Sequence, residues 1–344
     1  MSTSKLFQPI KVGDLELQHR VVMAPLTRFR ANAAHEHCEA AIEYYAQRAS
    51  IPGSLIVSEA TFIAPEAGGY PCVPGIWTDA QVARWKNIVD AVHSKGSYIV
   101  LQLWALGRMA SAELLEVEGP YPVISSGNVQ VDAQHAHPRA LTVAEIQDYL
   151  RKYAQAAKNA VEGAGFDGVE IHGAHGYLID QFFQSGINNR TDEYGGSIDN
   201  RIRADGYFAV GKRMEDPMAT FGEFVRRLRT NHPDFAYLHV VEPRINGEDF
   251  QAVVTETNEP LRQIWAPKPF IAAGGFTREE AIKAADEKDI LVAFGRHYIS
   301  NPDLPLRLKA GHPLMKYNRA TFYTNGPDAI EGYTDYPFYT EAQA

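Results

Sequence analysis

Short runs of apolar residues alternate with amphipathic stretches along the chain. Seven runs stand out: Val21–Ala24, Leu55–Val57, Tyr98–Leu101, Val169–Ile171, Tyr237–Val241, Phe270–Ala273 and Leu291–Phe294. Their near-continuous, β-branched character predicts strands buried on both faces, as in a parallel sheet. Between them, Glu39–Ala49 and Gln81–Lys95 read as amphipathic helices. Thr142-Val-Ala-Glu145 and Thr277-Arg-Glu-Glu280 are capping boxes that open two more, the first running to about Glu162. This alternation predicts an α/β fold, an eight-stranded (β/α) barrel of the TIM type. No linker or low-complexity segment interrupts it, so residues 1–344 are read as one domain.

A closed barrel of this type needs eight strands, and the sequence offers one fewer. The shortfall falls between Ile171 and Tyr237. Gln181–Arg203 is polar and loop-like, and Pro217–Thr230 reads as a helix. Only Ala204–Asp216 remains between them, too short for a helix, a strand and their loops, since a crossover alone takes about 10–12 residues. The last three runs are therefore numbered six to eight with the fifth place vacant, and the barrel is expected to be incomplete or rearranged near residues 203–217.

In such barrels the chemistry sits at the C-terminal ends of the strands. The first run is followed by Pro25-Leu26-Thr27-Arg28, the second by Glu59-Ala60, and the third ends in Gln102-Leu103-Trp104. The fourth is followed by His172-Gly-Ala-His175-Gly-Tyr177. Two imidazoles and a phenol at one strand end offer donors to an anionic oxygen and a proton to a carbon; the bland alternative is that they only brace a loop. Gly274-Gly275 and Gly295-Arg296 end the last two runs and offer backbone N–H groups and a cation to a phosphate. Glu113, in the loop after the third run, is a candidate acid or base, against the plainer reading of a solvated carboxylate. Gly163-Ala-Gly165-Phe-Asp-Gly168 spells a dinucleotide fingerprint but precedes a strand, so it reads as a helix stop.

Charge and composition narrow the partners. The net charge of -9 with scattered Lys and Arg argues against nucleic acid and anionic membrane. Two cysteines, Cys38 and Cys72, are too few for a disulfide framework or a zinc site, and no third ligand accompanies His172 and His175, so no metal is expected. The sequence shows neither a signal peptide nor a transmembrane run, which points to the cytoplasm; the sequon at Asn189-Arg190-Thr191 is then a chance match. A small molecule is the expected partner, and a homodimer is an allowed assembly.

These residues, in this order, resemble the old yellow enzymes, above all their fungal members, almost from end to end. Leu6-Phe-Gln-Pro-Ile10 resembles the family's opening hairpin, and Ala24-Pro25-Leu26-Thr27-Arg28 the loop over the flavin. The resemblance implies FMN as cofactor, with Pro25, Thr27, Ala60 and Gln102 at the ring and Gly274, Gly275, Gly295 and Arg296 at the phosphate, and NADPH as reductant. It implies that His172 and His175 grip a substrate carbonyl and that Tyr177 is the proton donor. Phe322-Tyr323 and the tail Gly332–Pro337 resemble the family's C-terminal pocket segment, and Tyr70, Trp104, Phe322 and Tyr323 would line a pocket for a bulky apolar enone or enal. The family's fifth strand carries an arginine facing the flavin's pyrimidine edge, and the sequence has no counterpart for it. Three functions follow: an ene-reductase acting on a C=C bond conjugated to a carbonyl; a flavin-independent double-bond isomerase using Tyr177, His172, His175 and Glu113; and a non-catalytic binding relative.

Overall fold

The computed structural model describes residues 3–202, 216–246, 249–250 and 257–340. Among them the seven apolar runs form strands: β1 (Val21–Met23), β2 (Leu55–Val57), β3 (Tyr98–Trp104), β4 (Gly168–Ile171), β5 (Leu238–Val241), β6 (Phe270–Ala273) and β7 (Leu291–Phe294). They pair in parallel in the order β5-β6-β7-β1-β2-β3-β4. The result is a TIM-type barrel wall whose edges are β4 and β5. No ladder joins those edges among the described residues, which is where the sequence left the fifth place vacant; the short stretch held responsible, Ala204–Asp216, lies outside the described residues except for Asp216.

The predicted helices cover the outside as α1 (Ala40–Arg48), α2 (Asp79–His93), α3 (Val143–Lys158), α4 (Pro217–Asn231) and α6 (Arg278–Lys288), and a helix that the sequence reading did not single out, α5 (Glu259–Trp265), joins them. Both predicted capping boxes close around Thr142 and Thr277, and a third opens α2 at Thr78. α3 ends in a π-turn, Asn159–Ala164, stopped by left-handed Gly165. Of the dinucleotide-like glycines, Gly163 lies in that turn, Gly165 stops it and Gly168 opens β4. Gln181–Arg203 is less loop-like than its polarity predicts, because the six-residue helix Leu178–Phe183 runs into it and Ile198–Arg201 forms a further turn.

Side-chain alternation divides the core. Val22, Leu55, Val57, Val100, Ile271 and Leu291 fill the barrel interior, joined by Val12 and Leu17 of an N-terminal hairpin (Ile10–Val12 and Leu15–Leu17). The alternate residues Val21, Met23, Ile56, Ile99 and Leu101 face the helices, against Trp85, Tyr44 and Tyr45. No helix of the described residues is long and apolar enough to cross a membrane.

Candidate active site

The strand ends and their loops enclose one large cavity of about 570 Å³. Its lining contains Pro25, Thr27, Ala60, Tyr70, Gln102, Trp104, His172, His175, Tyr177, Gly274, Gly275, Gly295, Arg296, Phe322 and Tyr323, so the structure brings together every predicted site residue except Glu113. Glu113 lies at the first turn of a short helix, fully exposed, with its carboxylate accepting from Ser111 Oγ at 2.7 Å. A loop position read from sequence carries no direction, and this carboxylate bonds the hydroxyl of Ser111, the N-cap of its helix, instead of entering the cavity.

The His172–Tyr177 turn is held from below. His175 and Gly176 both adopt left-handed backbone (φ 60° and 77°), which folds the loop back over β4. Gly176 N–H donates to buried Asp180 at 2.8 Å. Ala174 N–H donates to His172 Nδ1 at 3.2 Å, so that nitrogen is the acceptor and the ring proton sits on Nε2. Burial drives His172 well below the usual histidine range, with His175 and His239 adding to the effect. Burial likewise lowers His175 to about 4, again helped by His239. Both imidazoles are therefore neutral near pH 7 and act as N–H donors without charge.

Tyr177 stands edge-on to Trp104 and His172, with centroids 4.7 and 5.1 Å away. Burial raises its phenol, and the neighbouring Tyr70 phenol raises it further, so the proton stays on the oxygen at neutral pH. Trp104 lies parallel to His172, and its indole Nε1 is buried without a partner. Phe29, which sequence reasoning did not single out, packs edge-on to both Tyr70 and Tyr323 and completes the aromatic wall.

That wall depends on the tail. Arg28 is fully buried and donates to the carbonyls of Phe322 (3.1 Å) and Gly332 (2.7 Å). Arg30 donates to Ala329 O at 2.6 Å, and Arg48 to Ile299 O (2.6 Å) and Tyr333 O (3.2 Å). The guanidinium of Arg48 lies 3.7 Å from the centre of the Tyr44 ring, on which Tyr333 is stacked at 4.2 Å.

Residues 5–209 and 201–315 match the NADH:flavin oxidoreductase / NADH oxidase family. A protein of Epichloe festucae var. lolii named probable inactive reductase easA is 47% identical over 373 aligned positions, covering 99% of this chain and 97% of that protein. Chanoclavine-I aldehyde reductase fgaOx3 of Penicillium roqueforti is 45% identical, covering 99% and 98%. An NADP-dependent oxidoreductase, lnbE, of Aspergillus flavus is 46% identical, covering 98% and 97%. The crystal structure of Old Yellow Enzyme from Pichia sp. AKU4542 superposes with a TM-score of 0.88 at 37% identity, covering 99% of this chain and 95% of that one.

The chain belongs to the old yellow enzyme family. Its cofactor is FMN, and the residues present fit that group. Gly274 and Gly275 are consecutive at positive φ (135° and 66°), and a Cβ on Gly274 would fall 2.9 Å from Glu242 Cβ. Such a turn presents backbone N–H groups to an anion, and Arg296 lines the same cavity. Pro25, Thr27, Ala60 and Gln102 line the cavity where the isoalloxazine would lie.

This old yellow enzyme nonetheless lacks positions that its Epichloe relative has. The alignment of 373 positions exceeds the 344 residues of the chain, so at least 29 positions of the Epichloe protein have no counterpart here. The family match also breaks into its two segments at residues 201–209. The break lies where the strand count fails.

Proposed function

We propose that this protein reduces a C=C bond conjugated to the carbonyl of a bulky apolar aldehyde or ketone, with His172 and His175 holding the carbonyl oxygen and Tyr177 protonating the α carbon. The observation that carries the reading is the placement of two neutral imidazoles and a protonated phenol on one cavity wall, with the His172 proton directed to Nε2 by Ala174. Neutral N–H donors suit an oxygen that gains negative charge during reaction, and a buried phenol suits delivery of a proton to carbon. FMN held by Gly274, Gly275, Gly295 and Arg296 would, once reduced by NADPH, supply the hydride that the β carbon needs. Hydride and proton together add two hydrogens across the double bond.

Trp104, Tyr70, Phe29, Phe322 and Tyr323 support an apolar substrate of some size. The relative named for chanoclavine-I aldehyde points to an aldehyde of a fungal secondary metabolite. The break in the family match favours a second reading, double-bond migration by the same proton-handling groups without flavin. Glu113 contributes to neither, since it lies outside the cavity.

The visible spectrum of the purified protein and an FMN titration separate the two. With the phosphate contacts kept and the family's arginine absent, FMN should bind about 1–3 kcal/mol more weakly than in intact relatives, and purified protein should carry it substoichiometrically. Restoring the helix and strand with their arginine should raise occupancy. Colourless protein that takes up no FMN, yet converts an enal without NADPH, would establish the isomerase.

A further inference from the structure

Glu170 is an acid in the middle of a barrel strand, and nothing so far explains it. It is 9% exposed. Its register partner on β3 is Gln102, a cavity-lining residue, and Gln102 Nε2 donates to Glu170 Oε1 at 2.7 Å. A carboxylate can only accept, so the Gln102 amide must turn its NH2 to Glu170 and its carbonyl oxygen away. The other carboxylate oxygen, Oε2, accepts from Tyr237 Oη at 2.9 Å and lies 3.0 Å from His239 Nδ1. Burial opposes the charge on Glu170, but His239, Gln102 and Tyr237 outweigh it and hold the carboxyl below its usual range. One side chain thus ties β3 and β4 to β5 across the edge where no ladder joins them among the described residues.

We propose that Glu170 is a positioning residue for FMN: it bridges the open seam and fixes the Gln102 amide so that its carbonyl oxygen is presented to the cavity as an acceptor for the imide N–H of the flavin ring. Glutamine at 170 could either give or take a hydrogen bond, so it would hold the seam but no longer dictate which way Gln102 faces. Placing the role in Gln102 also makes it separable from stability, because the bridge to β5 and the hold on Gln102 use different oxygens of the carboxylate.

The test is a double-mutant cycle read by FMN binding to apoprotein, followed by quenching of flavin fluorescence, with melting temperatures alongside. Glu170→Gln should weaken FMN about ten-fold, roughly 1.4 kcal/mol. Gln102→Ala should cost a similar factor, and the double variant little more than either alone, because both remove one interaction. Tyr237→Phe takes one donor from Oε2 without touching Gln102. It should lower the melting temperature and leave FMN affinity near wild type, because the Oε1 hold on Gln102 is kept. Multiplying losses in the double variant, unchanged FMN affinity in Glu170→Gln, or a ten-fold loss of FMN affinity in Tyr237→Phe would overturn this role while leaving the cofactor in place; if the Glu170 variant fails to fold, the Tyr237→Phe outcome decides alone. Wild-type protein that binds no FMN would overturn both the role and the FMN assignment on which it rests.

Discussion

Glu170 Oε2 and His239 Nδ1 lie 3.0 Å apart, although β4 and β5, which carry them, share no backbone ladder among the described residues. Side chains do here what main-chain hydrogen bonds do around the rest of the wall. A buried carboxylate that loses a partner costs about 3–5 kcal/mol, more than removing both members of the pair together. His239→Leu should therefore lower the denaturant midpoint strongly, and Glu170→Leu combined with His239→Leu should lower it less. A double variant that loses the sum of the two single losses would show that the contact carries no weight.

Tyr177→Phe removes one proton and keeps the ring against Trp104 and His172. Turnover of an enal should fall by about 10²–10⁴, the usual worth of a positioned acid, with the melting temperature unchanged. Undiminished turnover would assign the proton to another group.

His172→Ala removes the Nε2–H donor whose direction Ala174 sets. The rate should drop by about 10²–10³, as for loss of an oxyanion donor. A phenol, whose anion resembles an enolate, should bind more weakly to the flavin-loaded protein. Equal phenol affinity in variant and wild type would remove His172 from the carbonyl-binding role.

Arg28→Met keeps length and apolar bulk but strands the carbonyls of Phe322 and Gly332. Each unsatisfied buried acceptor costs about 1–3 kcal/mol. Limited proteolysis should cut the tail faster, and KM should rise more than kcat falls, because Phe322 and Tyr323 form cavity wall and not reacting groups. A variant with normal KM and a protease-resistant tail would contradict this.

Stability should pass through a maximum near neutral pH. Burial lowers His19 and His175 to about 4 and drives His172 well below its ordinary value, whereas in the unfolded chain each takes a proton near its ordinary pKa of about 6.5. The unfolded state then binds more protons, and stability falls as pH drops from about 6.5 towards 4. Asp180, raised by burial to about 6, opposes this over the same window, one group against three. On the alkaline side, burial would lower His37, but the fully buried Glu59 pushes it up to about 9. Its contribution is complete below about 6.5 and is lost as pH rises through 9. A melting temperature that climbs steadily down to pH 4 would refute this balance.

The barrel was legible because its strands are apolar on both faces and its helices open on Thr-x-x-Glu boxes. The cavity was legible because strand-end residues must converge in any such barrel. Glu170 and His239 were missed because they sit inside runs read for their apolar neighbours; an acid and a histidine at the centre of buried strands are themselves a signal. The fastening role of Arg28, Arg30 and Arg48 was not legible, since nothing local announces that carbonyls from some 250–300 residues away will surround them. Glu113 failed for the opposite reason: sequence places it near the site, and only the short helix that carries it, with its bond to Ser111, leaves it outside the cavity.

The tail strap has a consequence for how the protein is made. Phe322 and Tyr323 are translated after all seven strands, whereas the arginines that fasten their segment lie before residue 50. A chain halted after Phe294 would own the whole described barrel wall and still lack one side of its reaction chamber. Competence thus arrives only after the barrel wall is made, when a later-made stretch returns to arginines made long before it.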